Sequence, residues 1–304
     1  MAAAIVLAGG LAGGISAATT ARAQDTASES QKAIAAAMAA LPPDAARVLF
    51  GSQPQPAPLE ARSIGSYARG CLAGAVAMPV NGPSWQVMRL SRNRMWGHPN
   101  LISFLESFAQ NARKDGWNGL LVGDISQPRG GPMITGHASH QIGLDADIWF
   151  TPMPNRELSA GERETLSATS LLKDGTREID PKVFSPLHMR VVRRAALAPE
   201  VARVFVHPAI KQQFCELAGN DRGWLTKVRP IYGHYYHFHI RLACPAGLAD
   251  CKEQDAPPAG DGCGADLAWW LGPEPWKPSP PEKPKPPLKM SDLPDACRQV
   301  LVSK

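Results

Sequence analysis

Five of the eight histidines in this 304-residue chain fall in two short windows. Residues 137–147 read HASHQIGLDAD and contain His137, His140, Asp145 and Asp147. Residues 234–239 read HYYHFH and contain His234, His237 and His239. Imidazoles with a carboxylate are the donors of a catalytic divalent ion, three protein ligands leaving one position for water. Zinc held this way lowers the pKa of its water from about 15.7 to about 7. A further histidine can take the released proton near neutral pH. Together these residue types can do the chemistry of a zinc hydrolase. A closed structural zinc would ask for thiolates, and the six cysteines show no C-x-x-C spacing.

These groups need elements to hold them. Residues 236–242, YHFHIRL, alternate polar and apolar. As a strand they put His237, His239 and Arg241 on one face and Phe238, Ile240 and Leu242 toward the core. Residues 144–150, LDADIWF, alternate likewise and set Asp145 beside Asp147, with Asp145 read as structural rather than as a ligand. Gly143 permits a turn between His140 and that strand, folding both ligands back onto one ion. The clearest helix spans residues 99–114, with Leu101, Phe104, Leu105, Phe108 and Ala112 at helical spacing and Gly116 past its end. Residues 119–123 and 201–207 read as strands, and residues 208–218 as a helix opening on proline. Strands alternating with helices, together with glycine turns, predict an α+β fold. It is expected as a single catalytic domain over 63–255, a mainly antiparallel sheet flanked by helices. His98, His188 and His207 stand apart from the windows and read as structural.

Composition sets the surroundings. The net charge of +5 comes without a dense Lys/Arg run, so nucleic acid is not expected as a partner; an acidic polymer suits it better. Residues 1–16 are almost wholly apolar or small, and Ala21-Arg22-Ala23 fits a cleavage site, so 1–23 reads as a signal peptide. Nothing else could span a bilayer, and no stable membrane insertion is expected. In an exported chain Cys71, Cys215, Cys244, Cys251, Cys263 and Cys297 read as disulfides, for which sequence alone allows 15 pairings. Residues 24–62 form a variable arm, with a short helix over 32–41 and an extended path at Pro54, Pro56 and Pro58. Residues 256–304 form a Pro-rich tail. Cys263 and Cys297 flank its proline run, 278–287, and argue that it is stapled to the body. Trp269, Trp270 and Trp276 are expected to pack under that tail rather than form a saccharide surface.

The spacing His140-x6-Asp147, followed by a distant His237-x-His239, resembles the LAS group of peptidoglycan-cleaving zinc peptidases. Longer strings are similar to one family of that group, the penicillin-insensitive murein endopeptidases. They are GHASHQIGLDADI at 136–148 and RLACP at 241–245, supported by GHP at 97–99, HPAIKQQ at 207–213 and GDGCG at 260–264. The likeness runs from about residue 63 to residue 297. It implies that His140, Asp147 and His239 bind zinc, with His137 a further ligand or a group beside the metal. It implies that His237 is the base, and that His234 holds substrate or stabilises the oxyanion. It also implies the cystines Cys71–Cys297, Cys215–Cys263 and Cys244–Cys251. The implied substrate is peptidoglycan in the periplasm, cut at the D-alanyl–meso-diaminopimelyl cross-link. No serine acyl-enzyme is involved, hence the insensitivity to penicillin. One departure stands out: where relatives can hold a second metal through a carboxylate and a His three residues on, this chain has Asp174 and Arg177. The rival readings are a zinc D,D-carboxypeptidase or dipeptidase acting on murein peptides and a catalytically idle peptidoglycan binder. Cations near the site could hold an acidic peptide, and the sequence does not choose among them.

Overall fold

A computed structural model describes residues 29, 31–278 and 285–304. The expected signal peptide, 1–23, and most of the proline run lie outside the described residues. Among the strands, a hairpin of β1 (Arg62–Ser66) and β2 (Arg69–Ala73) comes first, then a short antiparallel pairing of β3 (Val76–Ala77) with β6 (Trp96–Gly97). The main sheet contains β4 (Asn81–Gly82), β5 (Trp85–Val87), β7 (Leu120–Val122), β8 (Asp145–Trp149), β9 (Val201–Val206), β10 (Val228–Pro230) and β11 (His237–Leu242). Its order is β10-β9-β11-β8-β7-β5-β4. The β10–β9 and β7–β5 pairs are parallel and the other four antiparallel, as an α+β fold requires.

The register of the central pair decides the site. β8 and β11 run antiparallel with His239 opposite Asp147, Arg241 opposite Asp145 and His237 opposite Trp149. Directly opposed residues project to the same face, so pairing alone brings the two windows together. The other face carries Ala146, Ile148, Phe238 and Ile240 into the main core. There Phe238 meets Phe108 edge-on at 6.4 Å and Phe150 at 5.4 Å. Each such buried side chain stabilises the fold by roughly 1.5–3 kcal/mol. All six residues of β11 are buried, the polar face included. On that face His239 lies against the His140 and Phe205 rings, and Arg241 against Tyr67 and Phe205.

Of the helices, α1 (Ala46–Gly51) precedes the hairpin and α2 (Pro99–Lys114) packs Leu101, Leu105, Phe108 and Ala112 inward. Pro99 opens α2, where its missing N–H costs nothing, and His98 Nδ1 accepts from the Asn100 N–H at 3.2 Å. Gly116, at φ 91°, ends it. Further along come α3 (Ala160–Thr165), α4 (Pro186–Leu197), α5 (Pro208–Leu217), α6 (Ala265–Leu271) and α7 (Ala296–Val302). His207 caps α5 as His98 caps α2. His188 packs among Trp117, Phe150 and Phe184. A second, smaller core joins Phe50 of α1, Ile64 and Cys71 of the hairpin, and Cys297 and Val300 of α7. The disulfides are Cys71–Cys297, Cys215–Cys263 and Cys244–Cys251, the pairing the resemblance implies. The first two tie the C-terminal segment to the body, and the third closes a short local loop. Trp270 and Trp276 pack edge-on against Tyr232, while Trp269 is exposed. No helix among the described residues is long and apolar enough to cross a membrane.

Candidate metal centre

The loop ahead of β8 is shaped by backbone that few residues tolerate. Gly143 sits at φ 70°, where a Cβ would come within 2.4 Å of the Leu72 side chain and 2.9 Å of the His98 amide nitrogen. His140 also adopts a left-handed conformation, φ 65°, which for a non-glycine residue costs of order 1–3 kcal/mol. Its N–H donates to Asp145 at 2.9 Å, and its carbonyl accepts from the Ser126 hydroxyl at 2.5 Å. The strained turn is thereby held, and the imidazole is aimed at the face of β8.

Four nitrogens converge on Asp147. Its Oδ1 lies 3.4 Å from His140 Nε2, 3.5 Å from His239 Nδ1 and 3.5 Å from His237 Nε2. Its Oδ2 lies 3.6 Å from His137 Nδ1. Donor atoms of His137, His140 and Asp147 all fall within 4.8 Å of one another. Ligands about 2.0–2.1 Å from a tetrahedral zinc sit about 3.3–3.4 Å apart, close to the spacing around Asp147. His140 Nε2 and Asp147 Oδ1 are buried with no hydrogen-bond partner, a costly arrangement unless a cation takes their lone pairs.

The tautomers agree with that reading. His140 Nδ1–H donates to the Ile125 carbonyl at 2.6 Å, because a carbonyl can only accept. His239 Nε2 bonds the Asp145 carboxylate at 2.8 Å, and His137 Nε2 bonds the Asp124 carboxylate at 3.0 Å. Each ring therefore turns its other nitrogen toward Asp147, where it can serve as a metal donor. A carboxylate or carbonyl behind a metal-binding imidazole fixes its orientation and strengthens its basicity.

Charge is arranged to match. Burial would raise the Asp145 pKa, but Arg241 (2.7 Å) and His239 hold it far below the carboxylate range. Burial opposes ionisation of Asp124 too, and is outweighed by His137, Arg92 and Arg94. Asp147 is likewise held low against burial by the surrounding imidazoles. Burial acts to lower the His140 pKa, yet the Asp147 carboxylate raises it. This is local negative charge that a cation would satisfy. Burial pushes His237 down to about 4, leaving it neutral at pH 7. His234 is also lowered by burial. It adopts φ 55° and donates from Nδ1 to the Tyr232 carbonyl at 2.7 Å. Its ring lies 4.7 Å from that of His237.

The centre opens into a cleft of about 690 Å³ whose walls include Arg92, Asp124, His137, Trp149, Tyr236 and His237. Ala33 and Ile34, within a helical stretch over residues 31–39, also border it. Sequence reasoning missed Asp124, Arg92 and Arg94, which share one ion-pair cluster behind His137. Asp124 follows the strand β7 with no pattern around it, so only the pairing of β7 with β8 discloses its place.

Residues 63–302 match the family model described as penicillin-insensitive murein endopeptidase. The chain belongs to this family. It is 45% identical over 253 residues to the penicillin-insensitive murein endopeptidase of Haemophilus influenzae, covering 80% of this chain and 84% of that protein. A protein of the same name from Klebsiella pneumoniae is 42% identical over 81% of this chain and 88% of its own length. That of Pectobacterium atrosepticum is 41% identical over 79% and 84%. Among the described residues of this family member, one group of His and carboxylate donors is arranged for a metal. Asp174 is not part of it, and Arg177 instead stacks over Trp276 at 4.7 Å.

Proposed function

We propose that this chain is a periplasmic zinc endopeptidase that hydrolyses D-alanyl–meso-diaminopimelyl cross-links of peptidoglycan and is insensitive to penicillin. The observation that carries the reading is the convergence of His140 and His239 on the buried, unpartnered Asp147 Oδ1, with His137 against Oδ2, each ring anchored from behind by a carboxylate or carbonyl. Relatives named murein endopeptidases supply the substrate class. His140, Asp147 and His239 would hold the zinc, with His137 as a further ligand through Nδ1. When bound, the ion supplies Lewis acidity and a water of lowered pKa.

The chain's own groups do the rest. His237, neutral at pH 7, takes the proton of the attacking water and returns it to the leaving amine. Asp145 and Asp124 keep His239 and His137 oriented. His234 gives its Nδ1–H to Tyr232, so its Nε2 is an acceptor. That favours holding a substrate N–H over stabilising an oxyanion, which needs a donor. The leader 1–23 directs export, the arm 24–62 precedes a catalytic unit at 63–255, and the tail 256–304 is tied back to it.

The test is digestion of cross-linked murein, with products identified by mass spectrometry. Dimeric muropeptides should disappear, chelator should prevent this, and penicillin should not. Surviving dimers with release of terminal D-Ala alone would favour a carboxypeptidase. Murein binding with no turnover in added zinc would favour an idle binder.

A further inference from the structure

Three guanidinium groups, Arg89, Arg92 and Arg94, line the cleft of the metal centre. Among its described lining residues the carboxylates are Asp124 and Asp147. Asp147 belongs to the metal set, and Asp124 is shared by Arg92, Arg94 and His137. The cleft wall therefore carries a surplus of positive charge.

The three arginines are not equivalent. Arg94 is buried and committed, donating to Asp124 at 2.9 Å and to the carbonyl and hydroxyl of Thr135 at 3.0 Å. Arg89 donates to the carbonyls of Arg163 and Leu166, each at 2.8 Å, and its guanidinium lies 5.1 Å from the Trp149 ring centre. Glu164, whose field reaches Arg89, is bonded to the N–H and hydroxyl of Ser91. Arg92 is different. Its side chain is 37% exposed and touches Asp124 through Nη1 alone, at 3.2–3.4 Å. Its Nε and Nη2 bond no described residue.

The backbone is strained to present it. Arg92 ends a short turn, Leu90–Arg92, bracketed by left-handed Arg89 (φ 57°) and Asn93 (φ 51°). Neither bracket is glycine, so the conformation persists only because its surroundings impose it. Asn93 accepts from the Trp96 indole at 2.7 Å and donates to the Pro54 carbonyl at 3.2 Å, and Ser91 is held by Glu164.

We propose that Arg92, with Arg89 beside it, binds a free carboxylate of the substrate next to the scissile amide. The assignment rests on the murein reading above. A diaminopimelyl cross-link bears a carboxylate on the carbon attached to the scissile nitrogen. Arg92 stands behind Asp124 and His137, one contact removed from the metal set. A guanidinium with an unused edge matches a carboxylate in geometry and charge. Arg92 thus selects acidic cross-links over amidated ones.

The test uses the zinc-supplemented chain and two peptide dimers, one with that diaminopimelyl carboxylate free and one with it amidated. Wild type should cleave the free form with the higher kcat/KM. Arg92→Gln should lower kcat/KM on the free form by about ten- to a hundred-fold, as for a lost charge-assisted hydrogen bond, and on the amidated form by much less, since there only the contact to Asp124 is lost and Arg94 still pairs that carboxylate. Arg92→Lys should retain part of the preference. Equal losses on both dimers, or no loss on either, overturn the assignment. Binding of both dimers is measured in parallel by calorimetry in a His237→Ala background, with and without Arg92→Gln. A preference for the free carboxylate that disappears with Arg92→Gln supports the assignment even where no bond is cut. No preference in the parent protein overturns it. Absence of wild-type turnover with that binding preference intact refutes the hydrolase reading alone.

Discussion

Asp145 touches no metal in this reading, yet its loss should be felt in both stability and zinc binding. Its carboxylate is fully buried, bonded to Arg241 at 2.7 Å, to His239 at 2.8 Å and to the His140 N–H at 2.9 Å. Asp145→Asn keeps the volume and removes the charge. The Arg241 guanidinium, stacked 4.1 Å from the Tyr67 ring centre, then stays buried without its counter-ion. Breaking a buried pair from one side costs about 3–5 kcal/mol. His239 also loses the anion that fixes its tautomer, a change worth about 10- to 100-fold in metal affinity. The pH dependence has a definite sign. Asp145 is depressed on folding, so its contribution is complete above the unfolded carboxyl pKa of roughly 3.9 and is lost as pH falls toward the lower folded value. The wild-type advantage in urea unfolding should therefore be full at pH 7 and shrink below about pH 4. Adding Arg241→Met should recover much of the stability and none of the zinc affinity. If Asp145→Asn unfolds within about 1 kcal/mol of wild type at pH 7 and competes for zinc equally well, the account of this carboxylate is wrong.

Three further outcomes follow from the same geometry. His237→Ala should lower kcat by about 10²- to 10⁴-fold while zinc content by atomic absorption stays at the wild-type level; loss of the metal would make it a ligand instead of the base. Gly143→Ala, with its methyl against Leu72 and its φ of 70°, should cost at least about 1–3 kcal/mol and weaken zinc binding; an unchanged melting temperature contradicts the turn argument. Removing Cys71–Cys297, which spans 226 residues, should cost up to about 5 kcal/mol, against about 2 for Cys244–Cys251, which spans 7; urea midpoints in the reverse order would refute the loop-entropy ranking.

Which side chains of the candidate centre share a face was legible because strands have a period of two. Alternation in 236–242 assigns His237, His239 and Arg241 to one face before any partner is known, and alternation in 144–150 does the same for Asp145 and Asp147. The helix at Pro99–Lys114 was readable from its spacing and its glycine stop for the same reason: local periodicity is a local property. Pairing is not local. Nothing in either window says that Asp147 lies opposite His239, and a shift of one residue in register would turn the ligands to the other face of the sheet. Asp124 and the arginines of the strained turn come from segments with no pattern of their own, so their roles exist only where β7 meets β8 and where the 89–93 loop meets the cleft. Likewise β11 is buried on both faces because residues from elsewhere in the chain, His140, Tyr67 and Phe205 among them, cover its polar side. By itself the sequence determined which side chains could bind a metal and which of them share a face. Only the tertiary structure decided which nitrogen each histidine turns toward Asp147 and which arginine of the cleft keeps an edge that bonds no described residue, since both depend on partners distant along the chain.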